Sequence, residues 1–383
     1  MSPRIAYVVT EDWYFTQHRL YMARSARDAG FEVHVLTRLD TSAQVIEREG
    51  FVAHPLSWQR RSISPASLVA SVVEIRRVLK QINPNLVHNI AVKPSVVGSL
   101  ACVGLNDVSV VNSITGLGST FVRTSPGWRI VQAGLRRAFA FLFNLRRTVV
   151  VVQNPDDRSA LLRAGVQPDR LVLIPGSGVD TEELQPLPEP GLPIRIGFAG
   201  RMLEDKGVRV LVEAFHLVRK RGLDVELLLA GAPDHDNPTA IPVRDIEAWA
   251  GSNGVRWLGH VTDIRPVWHH CHVAVLASLG GEGLPKSLLE AASLGRPLIA
   301  TDTPGCREIV LHGRTGLLVP AGDAQSLANA IMTLANNADM RRRMGDAARA
   351  LVVERFSAQD IGRQTVAVYR SLLACKPASH EEG

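Results

Sequence analysis

An apolar run passes through a glycine turn into a helix at residues 273–290, which have the sequence VAVLASLGGEGLPKSLLE. The run VAVLAS has the length and composition of a buried strand, and the Leu-rich continuation is typical of a helix. Two acids, Glu282 and Glu290, stand at the turn and on the predicted helix. Because the first amides of a helix lack internal partners, this junction is a candidate anion site.

The spacing of the two acids argues against a hydrolytic pair. If both were helical, eight steps of about 1.5 Å would separate them by roughly 12 Å along the axis. Paired carboxylates that cleave glycosidic bonds lie roughly 5 to 9.5 Å apart. Two acids at different depths along one elongated ligand fit the spacing better, for example one at a sugar and the other at a ribose.

Strand-like and helix-like segments alternate through almost the whole chain. Before a Gly-rich and Pro-rich break at 176–193, strands are predicted near 5–9, 32–36, 52–55, 85–89, 109–114, 148–153 and 171–174. Beyond the break, a strand beginning at Ile194 is followed by strands near 225–230, 255–259, 273–277 and 297–300. Such alternation indicates parallel sheets covered on both faces.

We therefore expect an α/β protein with two Rossmann-like domains, whose parallel sheets face each other across a central cleft. The first domain is predicted at 1–180 and the second at 193–356. A last helix at about 357–375 is expected to pack back on the first domain. Because ligands of open parallel sheets bind beyond the carboxyl ends of the strands, functional residues should directly follow strands.

Composition and charge exclude several classes of protein. The chain has 383 residues, 46% of them hydrophobic, and a formal charge of +6. No apolar run approaches the roughly 20 residues that a membrane-spanning helix needs. The N-terminus does not resemble a signal peptide, and the four cysteines lack CxxC spacing, so we expect a cytoplasmic protein without disulfides. Without an RNP, zinc-finger or helix-turn-helix signature, no nucleic-acid partner is expected.

Basic and apolar residues are interleaved between 123 and 163. The arginines of this segment include Arg129, Arg136, Arg137, Arg146, Arg147, Arg158 and Arg163. One interpretation is an amphipathic segment that lies on the anionic inner face of a bacterial plasma membrane. The other is an ordinary core helix whose arginines face solvent. Both interpretations stay open.

Two cations follow the first predicted strand of the second domain. Arg201 comes directly after the strand, and Lys206 precedes the next predicted helix. Arginine offers a bidentate fork and lysine a mobile point charge, so together they suit a diphosphate. Both could instead be ordinary surface cations. Their position at the carboxyl edge of the sheet favours the phosphate site.

Three motifs together resemble the retaining GT-B enzymes of glycosyltransferase family 4. They are Glu282-x7-Glu290, Gly200-Arg201-x4-Lys206-Gly207 and Gly316-Leu317-Leu318-Val319-Pro320. The resemblance covers essentially the whole chain. It implies that Glu282 contacts the donor sugar and Glu290 the ribose, that Arg201 and Lys206 neutralise the diphosphate, and that no metal cofactor is needed. The other residues that it places at the nucleotide sugar are Val261, Asp263, Gly283, Leu284 and Ser287.

The first domain departs from the pattern of that family. Its members usually carry a Gly-Gly loop after the first strand, whereas residues 10–19 have the sequence TEDWYFTQHR, which we interpret as a loop. His18 and Arg19, at the predicted start of the next helix, are the candidate replacements. Family members often have His-x-His-x-x-Lys after the fourth strand. This chain keeps His88 and Lys93 but has Ile90 at the second histidine.

Lys93-Pro94 and the loop Thr115-Gly116-Leu117-Gly118 resemble a bacterial branch that acts on sugars carried by undecaprenyl diphosphate. The resemblance implies that the first domain binds a lipid-linked sugar acceptor. Lys93, Thr115 and Gly116 are its candidate residues, beside the two replacements named above. His88 is a candidate catalytic residue or, equally, a core histidine with satisfied hydrogen bonds.

Two further clusters look like metal sites, but the sequence favours neither. Asp234-His235-Asp236 matches the DxD motif of the other glycosyltransferase fold. It lies in a Pro-containing and Asn-containing loop, where a solvated turn is expected. The run His269-His270-Cys271-His272 lacks zinc spacing, and adjacent residues point in different directions, so we expect a helix-to-strand junction there.

The expected activity is the transfer of a hexose or N-acetylhexosamine from UDP-sugar, or another nucleotide-diphosphate sugar, to a hydroxyl of a lipid-carrier-linked sugar. The pathway would be surface polysaccharide or lipopolysaccharide synthesis. A hydrolysing UDP-sugar 2-epimerase with the same fold is the nearest alternative, and it would need further acids in the first domain. A dehydrogenase would need Gly-x-Gly-x-x-Gly after the first strand. A non-catalytic sugar-nucleotide-binding subunit would not need both cations and both acids.

Overall fold

The computed structural model describes residues 2–58, 64–105, 107–117, 126–234 and 236–374. The chain divides into two compact units, residues 1–177 with 358–383, and residues 178–357. Each unit is built on one sheet in which every neighbouring pair of strands is parallel. The predicted α/β class with two Rossmann-like domains is confirmed.

The first unit has a seven-stranded sheet of order β3-β2-β1-β4-β5-β6-β7. Its strands are β1 (Arg4–Glu11), β2 (Glu32–Arg38), β3 (Val52–Pro55), β4 (Leu86–Ile90), β5 (Ser109–Ile114), β6 (Thr148–Val152) and β7 (Leu171–Leu173). Its helices up to residue 177 are α1 (Asp12–His18), α2 (Leu20–Asp28), α3 (Ala43–Arg48), α4 (Pro65–Ile82), α5 (Val92–Cys102), α6 (Pro126–Leu142) and α7 (Pro155–Arg163). The strand order reverses between β1 and β4, which is where open sheets of this kind bind ligands.

The segment after β1, predicted as a loop, is helical. Its first residue, Asp12, is fully buried, and its carboxylate accepts hydrogen bonds from the amides of Trp13, Asp40 and Ser42 at 2.7, 2.8 and 2.8 Å. Phe15 is fully buried in the core. The sequence prediction was wrong because two of these partners, Asp40 and Ser42, lie far along the chain. His18 therefore ends α1 rather than starting a helix, and Arg19 separates α1 from α2 with φ −127°.

The second unit has a six-stranded sheet of order β10-β9-β8-β11-β12-β13. Its strands are β8 (Ile194–Ala199), β9 (Val225–Ala230), β10 (Val255–Gly259), β11 (Val273–Leu276), β12 (Leu298–Thr301) and β13 (Gly316–Val319). Its helices are α8 (Val208–Lys220), α9 (Val243–Ala250), α10 (Arg265–His270), α11 (Lys286–Ser293), α12 (Cys306–Ile309), α13 (Ala324–Ala335) and α14 (Ala338–Arg355). Here the strand order reverses between β8 and β11.

The last helix, α15 (Ala358–Ala374), belongs to the first unit. Side chains of β1 alternate between the two faces of the sheet. Tyr7 packs on one face with Tyr369 of α15, and Val8 packs on the other with Ile75 of α4. Within the described ranges, no helix combines the length and apolarity that crossing a membrane requires.

Candidate active site

A lysine and a glutamate meet at the point where the strand order of the second sheet reverses. Lys206 follows β8, and Glu282 follows β11. The Lys206 ammonium donates to both carboxylate oxygens of Glu282, at 2.6 and 2.8 Å. The two side chains are 22% and 11% exposed, so this pair is shielded from water much more than a typical surface ion pair. Two sequence-predicted site residues are therefore in direct contact.

Arg201, the other predicted phosphate ligand, pairs with an acid that the sequence interpretation discounted. Its Nη1 lies 2.6 Å from Oδ2 of Asp234, whose side chain is only 14% exposed. Asp234 follows β9, the neighbour of β8, so parallel pairing brings the two residues to one edge of the sheet. The expectation of a solvated turn was wrong for Asp234. Its position directly after a strand is the signal that could have identified it.

Glu282 lies in the loop before α11, not in a helix, because α11 begins at Lys286. The estimate of an axial separation from Glu290 therefore does not apply. The Ser278 hydroxyl lies 3.1 Å from Oε1 of Glu282 and can donate to it. Ser278 is fully buried at the end of β11, and the sequence analysis did not identify it. A lysine and a hydroxyl thus orient the carboxylate together.

Glu290 has a separate partner on its own helix. Lys286 stands one turn earlier, and its Nζ lies 3.2 Å from Oε1 of Glu290. Burial raises the pKa of Glu290, and the charge of Lys286 opposes this shift. A shielded carboxylate with one partner keeps free lone pairs, which suits the acceptance of hydrogen bonds from sugar hydroxyls.

Two glycines let the loops of this site approach each other closely. Gly207 has φ +68°, and a Cβ atom there would lie 1.8 Å from the carbonyl oxygen of Ala277. Gly305 has φ +81°, and a Cβ atom there would lie 2.2 Å from the carbonyl oxygen of Gly283. Only glycine accepts both the backbone conformation and the contact. The loop that carries Lys206 is therefore held against the end of β11.

The remaining residues predicted for the nucleotide sugar surround the same edge. Val261 and Leu284 are partly buried against the core of the second unit. Ser287 lies in the first turn of α11, whose N-cap is Pro285. Asp263 is exposed and hydrogen-bonded to Arg265, which lowers its pKa. Its carboxylate therefore stays charged at neutral pH.

His88, in β4, has both ring nitrogens engaged inside the first unit. Nδ1 lies 2.6 Å from the hydroxyl of Tyr369, and Nε2 lies 2.6 Å from Oγ of Ser113. His88 is fully buried, and burial followed by the charge of Arg19 lowers its pKa to about 3. This geometry favours the core-histidine interpretation that the sequence left open, because no ring nitrogen is free for a substrate.

The other predicted residues of the first unit lie beyond β1, β4 and β5. The Lys93 ammonium lies 5.6 Å from the ring centre of Trp58, and burial lowers its pKa. Thr115 and Gly116 directly follow β5 and are half-buried. The His18 ring packs on Tyr14 with ring centres 4.5 Å apart. The continuation of the Thr115 loop, Gly118 and Ser119, lies outside the described residues.

The two suspected metal clusters lie in the loop after β9 and at the end of α10. Among the described residues, which do not include His235, no three His, Cys, Asp or Glu side chains are placed to hold a metal ion. The run 269–272 bridges the end of α10 and the start of β11, so the predicted helix-to-strand junction is confirmed.

Two family models match the chain, one in each unit. Residues 4–153 match the model described as glycosyl transferase 4-like. Residues 193–337 match the model described as glycosyl transferases group 1. Both units are glycosyltransferase domains.

The glycosyltransferase domains have named bacterial relatives. The capsular polysaccharide biosynthesis glycosyltransferase CapM of Staphylococcus aureus is 30% identical over 178 residues, which are 46% of each protein. The chain thus matches about half of the length of that relative. An N,N'-diacetylbacillosaminyl-diphospho-undecaprenol alpha-1,3-N-acetylgalactosaminyltransferase of Campylobacter jejuni is 22% identical over 84% of this chain and 87% of its own length.

Solved structures resemble the glycosyltransferase domains over nearly the whole chain. A glycosyltransferase from Rickettsia africae has a TM-score of 0.80 at 19% identity and covers 98% of this chain and 100% of its own. Anabaena HepE in complex with UDP has a TM-score of 0.78 at 19% identity, with 97% and 100% covered. At such identities the likeness shows the fold, and it establishes the GT-B architecture.

Proposed function

We propose that the protein is a retaining glycosyltransferase that transfers a hexose or N-acetylhexosamine from UDP-sugar to a hydroxyl of a lipid-carrier-linked sugar. The observation that supports this best is the presence of two ion pairs after β8, Lys206–Glu282 and Arg201–Asp234, whose carboxylates are shielded from water. At this edge of the sheet, acids hold the two cations in place. An anionic ligand that binds there can replace the acids as the partner of the cations. A nucleotide diphosphate has the required charge.

The relatives support the choice of donor and acceptor. The Campylobacter jejuni relative is named for transfer to a sugar on diphospho-undecaprenol, and HepE was solved with UDP. CapM is named for capsular polysaccharide biosynthesis. We therefore place the protein in the synthesis of a cell-surface polysaccharide, on the inner face of the plasma membrane.

The cations would act when the donor bond breaks. The bond between the sugar C1 and the diphosphate oxygen is cleaved, and negative charge grows on the leaving diphosphate. Arg201 and Lys206 stabilise that charge in the transition state, so no divalent metal is needed. Glu282, released from Lys206 by the diphosphate, accepts hydrogen bonds from the donor sugar, and Glu290 accepts them from the ribose.

Retention follows from attack on the face that the diphosphate leaves. The acceptor oxygen forms its bond to C1, and its proton moves to the departing diphosphate oxygen. Such a step needs no covalent nucleophile of the protein. It needs dry surroundings, because water at C1 would hydrolyse the donor.

A donor screen tests the proposal directly. Thermal shift with UDP-, GDP- and dTDP-sugars should show stabilisation by UDP-sugars, and the stabilising donor is then incubated with a lipid-diphosphate sugar in the presence of EDTA. A disaccharide product with retained configuration is expected. Epimerised sugar formed without an acceptor would instead identify the 2-epimerase.

Lys206 offers the sharpest variant. Lys206→Met should lower the rate of transfer by about 100- to 1,000-fold, because one donor to the leaving group is lost. Glu282→Gln should also abolish most transfer, while both variants keep cooperative unfolding. Lys220→Met, at the exposed end of α8, is the matched control and should keep full activity. Near-normal transfer by the Lys206 variant would refute the assignment.

A further inference from the structure

Arg19 is a buried arginine without a counter-ion. It is 2% exposed and belongs to the largest fully buried side chains of the protein. Its Nε atom is buried and has no hydrogen-bond partner. Neither terminal nitrogen, Nη1 or Nη2, is both buried and without a partner. Within the described part of the chain, the side chain of Arg19 forms no hydrogen bond or ion pair. The terminal nitrogens therefore keep a small accessible area.

The polar groups around Arg19 are already engaged with one another. Burial raises the pKa values of Tyr7 and Tyr369, and the charge of Arg19 opposes this shift. Burial lowers the pKa of His88, and the charge of Arg19 lowers it further. The hydroxyls of Tyr7 and Tyr369 lie 3.1 Å apart, and His88 contacts Tyr369. All three groups are neutral at pH 7, so none of them balances the charge of the guanidinium.

The acids that precede Arg19 have other partners. Glu11, at the end of β1, accepts from Nε of Arg38 at 2.9 Å. Asp12 uses its carboxylate to hold three backbone amides. A buried charge without a partner is costly, and a protein that retains one commonly uses it to bind a ligand.

The place of Arg19 in the fold indicates what that ligand is. It joins α1 to α2 just beyond β1, and β1 and β4 are the strands between which the order of the first sheet reverses. The second unit holds Arg201 and Lys206 at the equivalent reversal. Helix α5 begins beside it, two residues after β4, without a side chain that caps its amides. An anion is therefore favoured at this edge of the first sheet as well.

We propose that Arg19 binds a phosphate group of a substrate diphosphate in the first unit, through the bidentate fork of its guanidinium. This inference rests on the proposed function, which supplies two diphosphates: that of the nucleotide donor and that of the lipid-linked acceptor. Both present tetrahedral phosphate groups, in which two oxygens can accept the parallel hydrogen bonds of the planar arginine fork, whereas lysine offers only a point charge.

Two probes distinguish the sources, UDP for the donor and geranyl diphosphate for the lipid carrier. Affinity is measured by isothermal titration calorimetry, and the melting temperature is measured in HEPES and chloride without phosphate. The variants are Arg19→Met and Arg19→Lys in the full chain. Arg27→Met, on the exposed face of α2, removes the same charge from the helix that follows Arg19 and is the control.

Arg19→Met should weaken the binding of one diphosphate by about 10- to 150-fold, the range of one hydrogen-bonded charge pair. Its melting temperature without ligand should be unchanged or higher, because an unpaired buried charge has been replaced by an apolar chain. Arg19→Lys should keep the fold and lose part of the affinity. Loss confined to geranyl diphosphate identifies the acceptor, and loss confined to UDP identifies the donor.

A structural role would give the opposite pattern. Arg19→Met would then melt earlier and bind both diphosphates as the wild type does, which overturns the proposal. If Arg19→Met does not fold, the Arg19→Lys variant decides: an affinity for both probes equal to that of the wild type overturns the proposal. The proposal is also overturned if the wild-type protein binds neither probe. Failure of the proposed function is separate: sugar transfer would be absent while diphosphate binding that depends on Arg19 persists.

Discussion

Asp157 shows how burial and charge oppose each other at a single residue. It is 6% exposed at the start of α7, and it accepts hydrogen bonds from Asn154 Nδ2 at 2.9 Å and from the Leu117 amide at 3.4 Å. Burial nevertheless raises its pKa to about 6. The folded protein therefore holds the Asp157 proton more tightly than the unfolded chain, in which the pKa is about 4.

This shift predicts the direction of a pH dependence. Between about pH 4 and pH 6 the native state binds more protons at Asp157, so its contribution to the free energy of unfolding falls as pH rises. Asp157→Asn removes that contribution. Relative to wild type, the variant should gain about 2 kcal/mol between pH 4.5 and pH 7.

Urea unfolding at the two pH values measures this gain. Asp169→Asn, at an exposed carboxylate, is the control and should show no such difference. An Asp157→Asn variant whose stability relative to wild type is the same at both pH values would contradict the assigned shift.

At the scale of elements, the turn before α8 is set by the contact of Gly207 with β11. Gly222, just after α8, also has a positive φ, +85°, but a Cβ atom there would meet nothing within 4 Å. An alanine at either position would have to adopt an unfavourable left-handed conformation, but only at position 207 would its Cβ atom also collide with the backbone. Comparing the two alanine variants therefore measures the cost of that collision alone.

Gly222→Ala should cost about 1 to 2 kcal/mol, the penalty of a left-handed residue. Gly207→Ala should cost about 1 to 3 kcal/mol more, because the end of β11 must move. It should also weaken UDP binding, since the adjacent Lys206 is displaced from the proposed phosphate site. Chemical unfolding and calorimetry check both effects. Equal stability of the two variants would show that the loop accommodates the added carbon.

At the scale of the whole molecule, α6 exposes apolar and basic side chains side by side. Ile130 and Phe141 are 76% and 62% exposed, and Arg136 and Arg137 are exposed between them. Phe139 is fully buried, so the helix also packs on its own unit. The buried Phe139 fits the core-helix interpretation, and membrane contact through the exposed face stays a prediction.

Changing Arg136 and Arg137 to Gln should weaken binding to phosphatidylglycerol vesicles by about 30-fold, at about 1 kcal/mol for each arginine. Raising the salt concentration should weaken the wild type likewise. Changing Arg342 and Arg343 on α14 to Gln removes the same charge from exposed positions elsewhere. Vesicle sedimentation compares the variants. Equal loss of binding in both pairs would exclude a specific role of α6.

Residues near in sequence were enough to predict much of this protein. The alternation of apolar runs and helical segments predicts the two parallel sheets, because each strand and helix buries side chains with its own period. The same pattern places Arg201, Lys206 and Glu282 after strands. Parallel sheets bring all such positions to one edge, so the candidate site could be located without coordinates.

The partners of the charged groups were decided by the tertiary structure alone. Asp234 meets Arg201 because β8 and β9 are neighbours, and α1 is helical because Asp12 finds amides 28 and 30 residues away. His88 and Arg19 are both polar residues that the sequence offered as candidates for the site of the first domain. Folding surrounds His88 with two hydroxyls and, among the described residues, leaves Arg19 without a counter-ion, since burial and pairing depend on contacts between residues distant in the chain.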